Sequence, residues 1–382
     1  MHIALTVGSF NQLGGIERVT VQLALGYRSL GHEVTIFATD WDAVYEDRFN
    51  FVKVNAPAKP MWLRTLTLPK ETTCLLERGN YDLIHGQGTS TLAFDLLTFH
   101  TVHAAWLNVS VAEEGAWSVR GIAKRVYPFH RATIAMEQQQ ARTHKGLFHA
   151  CSRAVREEAI KSYGVDPDRI HAVPWGVDLE TFQPNPDVRA QERASWGVDD
   201  STPVLLLVAN EFNRKGLAVL LDAIAQLGRS DVQLIVVGRG NPEPYLPQIE
   251  SLGLKKQVRF LGHRPVAPCY QAADLFVMPS TYEGWALVIG EALASGLPVI
   301  TSRFAGSSDL IEHGKNGLIL QDPRSVDEIA GTLHTALVPE TRQAMAAAAR
   351  QSVLHTTWLD VSRQLLELGT GVKQNPQASP AA

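Results

Sequence analysis

The sequence predicts an α/β protein of two doubly wound, Rossmann-like domains, each a parallel sheet with helices on both faces. The first observation behind this is rhythm. Short apolar runs, each followed by a turn and then a helical pattern, recur along the chain, and strands alternating with helices make βαβ units. The second is length, since 382 residues suit two domains. The third is composition. With 45% hydrophobic and 19% charged residues, the chain has enough apolar surface for two cores and is not disordered as a whole.

In order along the chain, strands are expected at Ile3–Val7, Val34–Ala38, Leu83–His85 and Gly146–Ala150. A helix opens after Gly14-Gly15 and runs to about Leu30. In the second half, strands are expected at Val204–Val208, Gln233–Val237, Val258–Leu261, Leu275–Met278 and Val299–Thr301. Helices are expected at Leu217–Leu227 and Ala286–Ser295. Ligands of such sheets are expected at the carboxyl ends of the strands. A strand-like His171–Val173 meets the Pro and Gly of Val173-Pro174-Trp175-Gly176-Val177-Asp178, which stop regular structure and suggest a boundary. The expected domains are 1–176 and 177–369, with a terminal helix crossing back, and a disordered Gly/Pro/Gln/Ser/Ala-rich tail at 370–382.

Several classes are disfavoured. A formal net charge of −4 gives no global field to recruit nucleic acid. Cys74, Cys151 and Cys269 form neither a metal spacing nor a disulfide framework, which suits a reducing cytoplasm. The N-terminus has a short apolar run without a basic leader and reads as a strand, not a signal peptide. No apolar stretch is long enough to span a bilayer.

Three segments carry chemistry. Gly14-Gly15-Ile16-Glu17 follows the first strand, where glycines let backbone approach a ligand and a helix N-terminus favours anions. It is not a dinucleotide fingerprint, and a tight strand-to-helix turn is the plainer reading. Arg214-Lys215-Gly216 follows the first strand of the second half, where a guanidinium fork and a point charge suit a diphosphate. A solvated basic pair is the plainer reading. The strongest segment runs from Pro279 to Ala292, with Glu283 in a loop and Glu291 inside the next helix. Amides of Ala286 and Leu287 at that helix N-terminus suit a phosphate, and the carboxylates suit sugar hydroxyls. Glu283 alone also reads as a carboxylate stabilised by the helix dipole, but that leaves Glu291 unexplained. One strand-loop-helix unit holding both favours a bound nucleotide sugar over a glycosidase pair. His100 and His103 end another apolar run, where a histidine is more often structural.

Taken together, these motifs resemble glycosyltransferase family 4, the retaining enzymes of GT-B fold, over nearly the whole chain. Gly14-Gly15-Ile16-Glu17 resembles the family's N-terminal glycine loop, and Val173–Asp178 its V-P-N-G-V-D, with Trp175 for the usual Asn. Arg214-Lys215-Gly216 resembles R-K-G, and Glu283 to Glu291 the Glu-x7-Glu signature. Gly306–Asp309 and His313–Gly317 resemble the downstream turns. Ala286 stands where E-G-F-G has its last glycine, and Asn210 where many members have glycine followed by arginine.

The resemblance implies two domains facing across a cleft. It implies that Arg214, Lys215, Gly15, Ala286 and Leu287 serve the donor diphosphate, and Glu291 the ribose. Glu283, Gly284 and Trp285 would meet the donor sugar, and His103 would face the transfer site, with Glu283, His103 and Lys215 as the catalytic set. It implies no metal and no cofactor, the nucleotide sugar being a substrate. Retention without an evident nucleophile implies front-face attack, with the leaving phosphate taking the acceptor proton. Similarity to lipopolysaccharide core glucosyltransferases suggests UDP-glucose, a glycan, lipid-linked or small-molecule acceptor, and a role in cell-envelope polysaccharide synthesis. The rivals are an epimerase or phosphorylase of GT-B-like fold, or a non-catalytic nucleotide-sugar binding module.

The segment 115–136 carries Arg120, Lys124, Arg125 and Arg131 and no acid, with Trp117, Tyr127 and Phe129 interleaved and Pro128 interrupting any helix. It suits the anionic inner face of a cell membrane, giving a cytoplasmic, peripheral protein. The plainer reading buries those aromatics against the sheet.

Overall fold

The computed structural model describes residues 1–143 and 145–374. It has two compact units, one of Met1–Gly176 with the chain from Trp358 onward, the other Val177–Thr357.

The first unit holds seven strands: β1 His2–Thr6, β2 Glu33–Ala38, β3 Asn50–Lys53, β4 Leu83–Gln87, β5 Leu96–Phe99, β6 Leu147–Ala150 and β7 Ile170–Ala172. Their order is β3-β2-β1-β4-β5-β6-β7, every pair parallel. The second holds β8 Val204–Val208, β9 Gln233–Val237, β10 Val258–Gly262, β11 Leu275–Met278, β12 Val299–Ser302 and β13 Gly317–Leu320, ordered β10-β9-β8-β11-β12-β13. These are also parallel throughout. Central strands of such sheets are covered on both faces, which is why β8, Val-Leu-Leu-Leu-Val, is buried at every residue.

The predicted β8, β9 and β11 and the helix Leu217–Leu227 coincide with the observed elements. Three strands lie outside the predicted set: β3, with Asn50 and Lys53 at its ends, β5, the apolar run ahead of His100, and β13 beside β12, while the strand-like His171–Val173 falls on β7. The C-terminal helix Trp358–Gln374 packs on the helix Gly15–Ser29 in the first unit, with Gly26 against Ser362. It extends past position 370, where disorder was expected, because an amphipathic run from Trp358 continues to Leu368. The rest of the expected tail, 375–382, lies outside the described residues.

Each order reverses at one point, between β1 and β4 and between β8 and β11. At such a point neighbouring connections leave to opposite faces and open a crevice beyond the carboxyl ends. The loops after β1, β8 and β11 are the ones the sequence marks.

Candidate active site

In the second unit the crevice loops bring Arg214, Lys215 and Glu283 together. Arg214 and Lys215 follow β8, and Glu283 follows β11. Both cations bind the same carboxylate oxygen, Glu283 Oε1. Arg214 also donates to the Tyr282 carbonyl at 2.9 Å and to Glu211 at 3.1 Å. The Arg214 carbonyl accepts from Ser280 Oγ at 3.1 Å and from the Thr281 N–H at 3.2 Å, tying the two loops together.

Gly216 makes this approach possible. Its φ is +77°, and a Cβ there would stand 2.3 Å from the Pro279 carbonyl oxygen. Only glycine fits a left-handed residue with backbone that close. The loop after β12 braces Glu283 from the other side. Glu283 N–H donates to Phe304 O at 3.0 Å, and Gly306 N–H to Glu283 O at 2.8 Å.

Lys215 and Glu283 are each 9% exposed. Burial lowers the Lys215 pKa against the opposing pull of Glu283. An anion placed beside this buried ammonium would stabilise its charged form further.

Glu291 sits in the middle of the helix Leu287–Ala294, 3% exposed, and accepts from the Tyr270 hydroxyl at 3.0 Å. Ala286 is the residue before that helix. Its N–H donates to Ser307 Oγ at 3.2 Å rather than standing free for a phosphate, as the sequence reading expected. Ser307, fully buried in the turn Gly306–Leu310, was not singled out in the sequence. Gly284 is buried, and Trp285 and Leu287 are half-buried.

The other predicted residues belong to the first unit. Gly15 opens the helix Gly15–Ser29 beside β1, and a Cβ there meets nothing within 4 Å. His103 opens the helix His103–Glu113 after β5. Its ring bonds His130, and its N–H bonds Glu137, neither of which the sequence reading found. Among the described residues, no group of three or more His, Cys, Asp or Glu could hold a metal ion.

The segment 115–136 forms the helix Val119–Val126 and the start of Pro128–Ala141, with Pro128 in the first turn of the second helix, where no donor is missed. Its aromatics are not all buried: Trp117 is 86% and Tyr127 52% exposed. Lys124 bonds Glu114 at 3.0 Å. No helix among the described residues is long and apolar enough to cross a membrane.

Residues 188–352 match the glycosyl transferases group 1 family, and 13–181 match Glycosyltransferase Family 4. The D-inositol 3-phosphate glycosyltransferase of Rhodococcus erythropolis is 31% identical, covering 93% of this chain and 86% of that protein. That of Corynebacterium glutamicum is 34% identical over 56% of this chain, and the match spans only 54% of that protein's length. The lipopolysaccharide glucosyltransferase WaaG of Escherichia coli is 26% identical over 92% of this chain and 93% of its own. The crystal structure of WaaG superposes with a TM-score of 0.81 at 22% identity, over 97% and 100% of the two chains. Anabaena HepE in complex with UDP and glucose gives 0.73 at 21%, over 96% and 98%.

Two doubly wound sheets, with cations at the switch point of the second, are the architecture these family matches describe. The chain belongs to the group 1/family 4 glycosyltransferases, has the GT-B fold, and moves a sugar from a nucleotide-sugar donor.

Proposed function

We propose that the enzyme is a retaining, metal-independent hexosyltransferase using a UDP-sugar, with UDP-glucose the first choice. The observation that carries this is the Arg214–Lys215–Glu283 cluster at the β8/β11 switch point, its lysine and carboxylate buried and its arginine partly so. Two cations held there neutralise charge that develops on the leaving diphosphate, without needing a divalent ion. Glu283 stands beside the sugar with Gly284 and Trp285, and Glu291 takes the ribose. Amides at Ala286, Leu287 and the Gly15 loop complete the diphosphate contacts, with Ser307 giving up the Ala286 N–H when donor binds. His103 serves the transfer site. The bond from the anomeric carbon to the phosphate oxygen breaks, the acceptor oxygen joins on the same face, and its proton passes to the leaving phosphate.

Glucose and UDP are favoured by the named lipopolysaccharide glucosyltransferase and by the UDP- and glucose-bound neighbour. The acceptor is a glycan or lipid-linked sugar of the cell envelope. A cytoplasmic, membrane-peripheral location is favoured by one surface. Val119, Ile122 and Val126 share one exposed face of their helix, flanked by exposed Trp117 and Tyr127 and by the side chains of Arg120 and Arg125. No role in nucleic-acid binding is proposed.

The test is a thermal-shift screen of UDP-glucose, UDP-galactose and GDP-mannose, followed by turnover in excess EDTA. Stabilisation by UDP-glucose is expected, since a ligand that binds only the folded state raises its stability by mass action. UDP release only with acceptor present separates transfer from epimerisation. Stabilisation by GDP-mannose alone, or turnover lost in EDTA and restored by magnesium, overturns the reading.

A further inference from the structure

Four side chains of the first unit converge where the helix His103–Glu113 begins. His103 Nε2 shares a hydrogen bond of 3.0 Å with His130 Nδ1. The His103 ring is stacked on His130 at 5.1 Å, tilted on Trp106 at 5.1 Å and edge-on to Phe129 at 5.7 Å. Glu137, 7% exposed, accepts the His103 N–H at 2.9 Å and the Tyr163 hydroxyl at 2.5 Å on one oxygen. Tyr163 in turn accepts the Ala104 N–H at 3.1 Å.

A helix N-terminus leaves its first N–H groups without intrahelical partners, and here a carboxylate and a phenol from two other elements take the first two. Backbone and ring of His103 are therefore both pinned. Nε2 is consumed by His130, whereas no described residue bonds Nδ1. A buried carboxylate costs free energy unless it does such a task. Burial raises the Glu137 pKa to about 7, lowers that of His103 to about 4, and with Lys124 nearby lowers that of His130 as well.

We propose that His103 meets the reacting sugars through Nδ1 and that His130 and Glu137 are its positioning residues, one fixing the ring and tautomer, the other the backbone. This rests on the reading of His103 as a transfer-site residue. The test uses the full chain with ¹⁵N-labelled histidine. His103 is assigned from the loss of its signals in His103→Gln. In the wild type its ring nitrogens should show a single fixed tautomer. In His130→Phe, which keeps an aromatic ring, and in Glu137→Ala, the signals should average.

In parallel, with UDP-glucose, kcat should fall at least tenfold in both variants, while UDP affinity stays within twofold. Glu137→Gln, which keeps an acceptor oxygen, should restore most of the rate. An unchanged His103 tautomer in both folded variants, or kcat within twofold of wild type in both, overturns the positioning role. Absence of transfer by the wild type with any donor would instead strike the proposed function, and the nitrogen spectra would still decide the positioning.

Discussion

The Tyr270 hydroxyl donates to Glu291 Oε2 at 3.0 Å, joining the helix Ala267–Ala272 to the helix that starts behind the Glu283 loop. Glu291 therefore enters any ribose contact already oriented. Glu291→Gln keeps shape but weakens acceptance from charged to neutral, so UDP should bind about tenfold more weakly, roughly 1.4 kcal/mol. The kcat at saturating donor should hardly move. Titration calorimetry with UDP checks this, and unchanged affinity removes the ribose role.

Glu283 holds both Arg214 and Lys215, so the three substitutions should differ in kind. On the proposed donor site, Arg214→Ala and Lys215→Ala each remove a cation assigned to the diphosphate and should lower turnover roughly 10²–10³-fold, with weaker UDP binding. Glu283→Gln frees both cations. Turnover should fall while UDP affinity holds or rises. Steady-state kinetics and UDP titration decide; weaker UDP binding in Glu283→Gln contradicts the arrangement.

Gly15→Ala separates a ligand requirement from a folding one. A Cβ there meets no protein atom within 4 Å, so stability should stay within about 0.5 kcal/mol of wild type. If the Gly15 loop passes against donor or acceptor, kcat/KM should still fall at least tenfold. Wild-type kinetics in a normally stable variant would return Gly14-Gly15 to a simple turn.

The first unit should lose stability in acid. Burial, with nearby histidines, holds His85 well below its usual range, His100 at about 3 and His149 at about 4. The folded state then binds fewer protons than the unfolded one from about pH 6.5 down to those values, so stability is full above that window and falls as pH drops through it. Glu137 opposes this: its pKa, raised from 4.5 to about 7, makes its protonation favour the fold over that range. Three histidines outweigh one carboxyl. Calorimetry between pH 7.5 and 5 should show a falling Tm; a flat or rising one is the contrary result.

Binding to vesicles should need anionic lipid and low salt, because each well-placed cation contributes about 1 kcal/mol and is screened. Arg120→Ser with Arg125→Ser should abolish most co-sedimentation, and Trp117→Ser should weaken it in all salts. Lys124→Ser should matter little, since Lys124 is engaged by Glu114 and Ser110. Equal binding to neutral vesicles, or none at low salt, rejects the surface.

What the sequence determined by itself was whatever is local in period or spacing. Continuous apolar runs place β8, β9 and β11 to the residue, because a strand covered on both faces is apolar throughout and runs of four or five residues bounded by turns are too short for a helix. Arg214, Lys215 and Glu283 were legible because each stands just after such a strand, and parallel topology gathers strand ends. The tertiary structure decided the partners. That one Glu283 oxygen serves both cations, that Tyr270 holds Glu291, that Ser307 takes the Ala286 N–H, and that His130 and Glu137 pin His103 all join residues distant in the chain. Such pairings depend on which loops the strand order sets side by side, and no local periodicity encodes that. The same holds for Trp117 and Tyr127: an amphipathic segment shows that it has an apolar face, and only the packed neighbours show that the face is left uncovered.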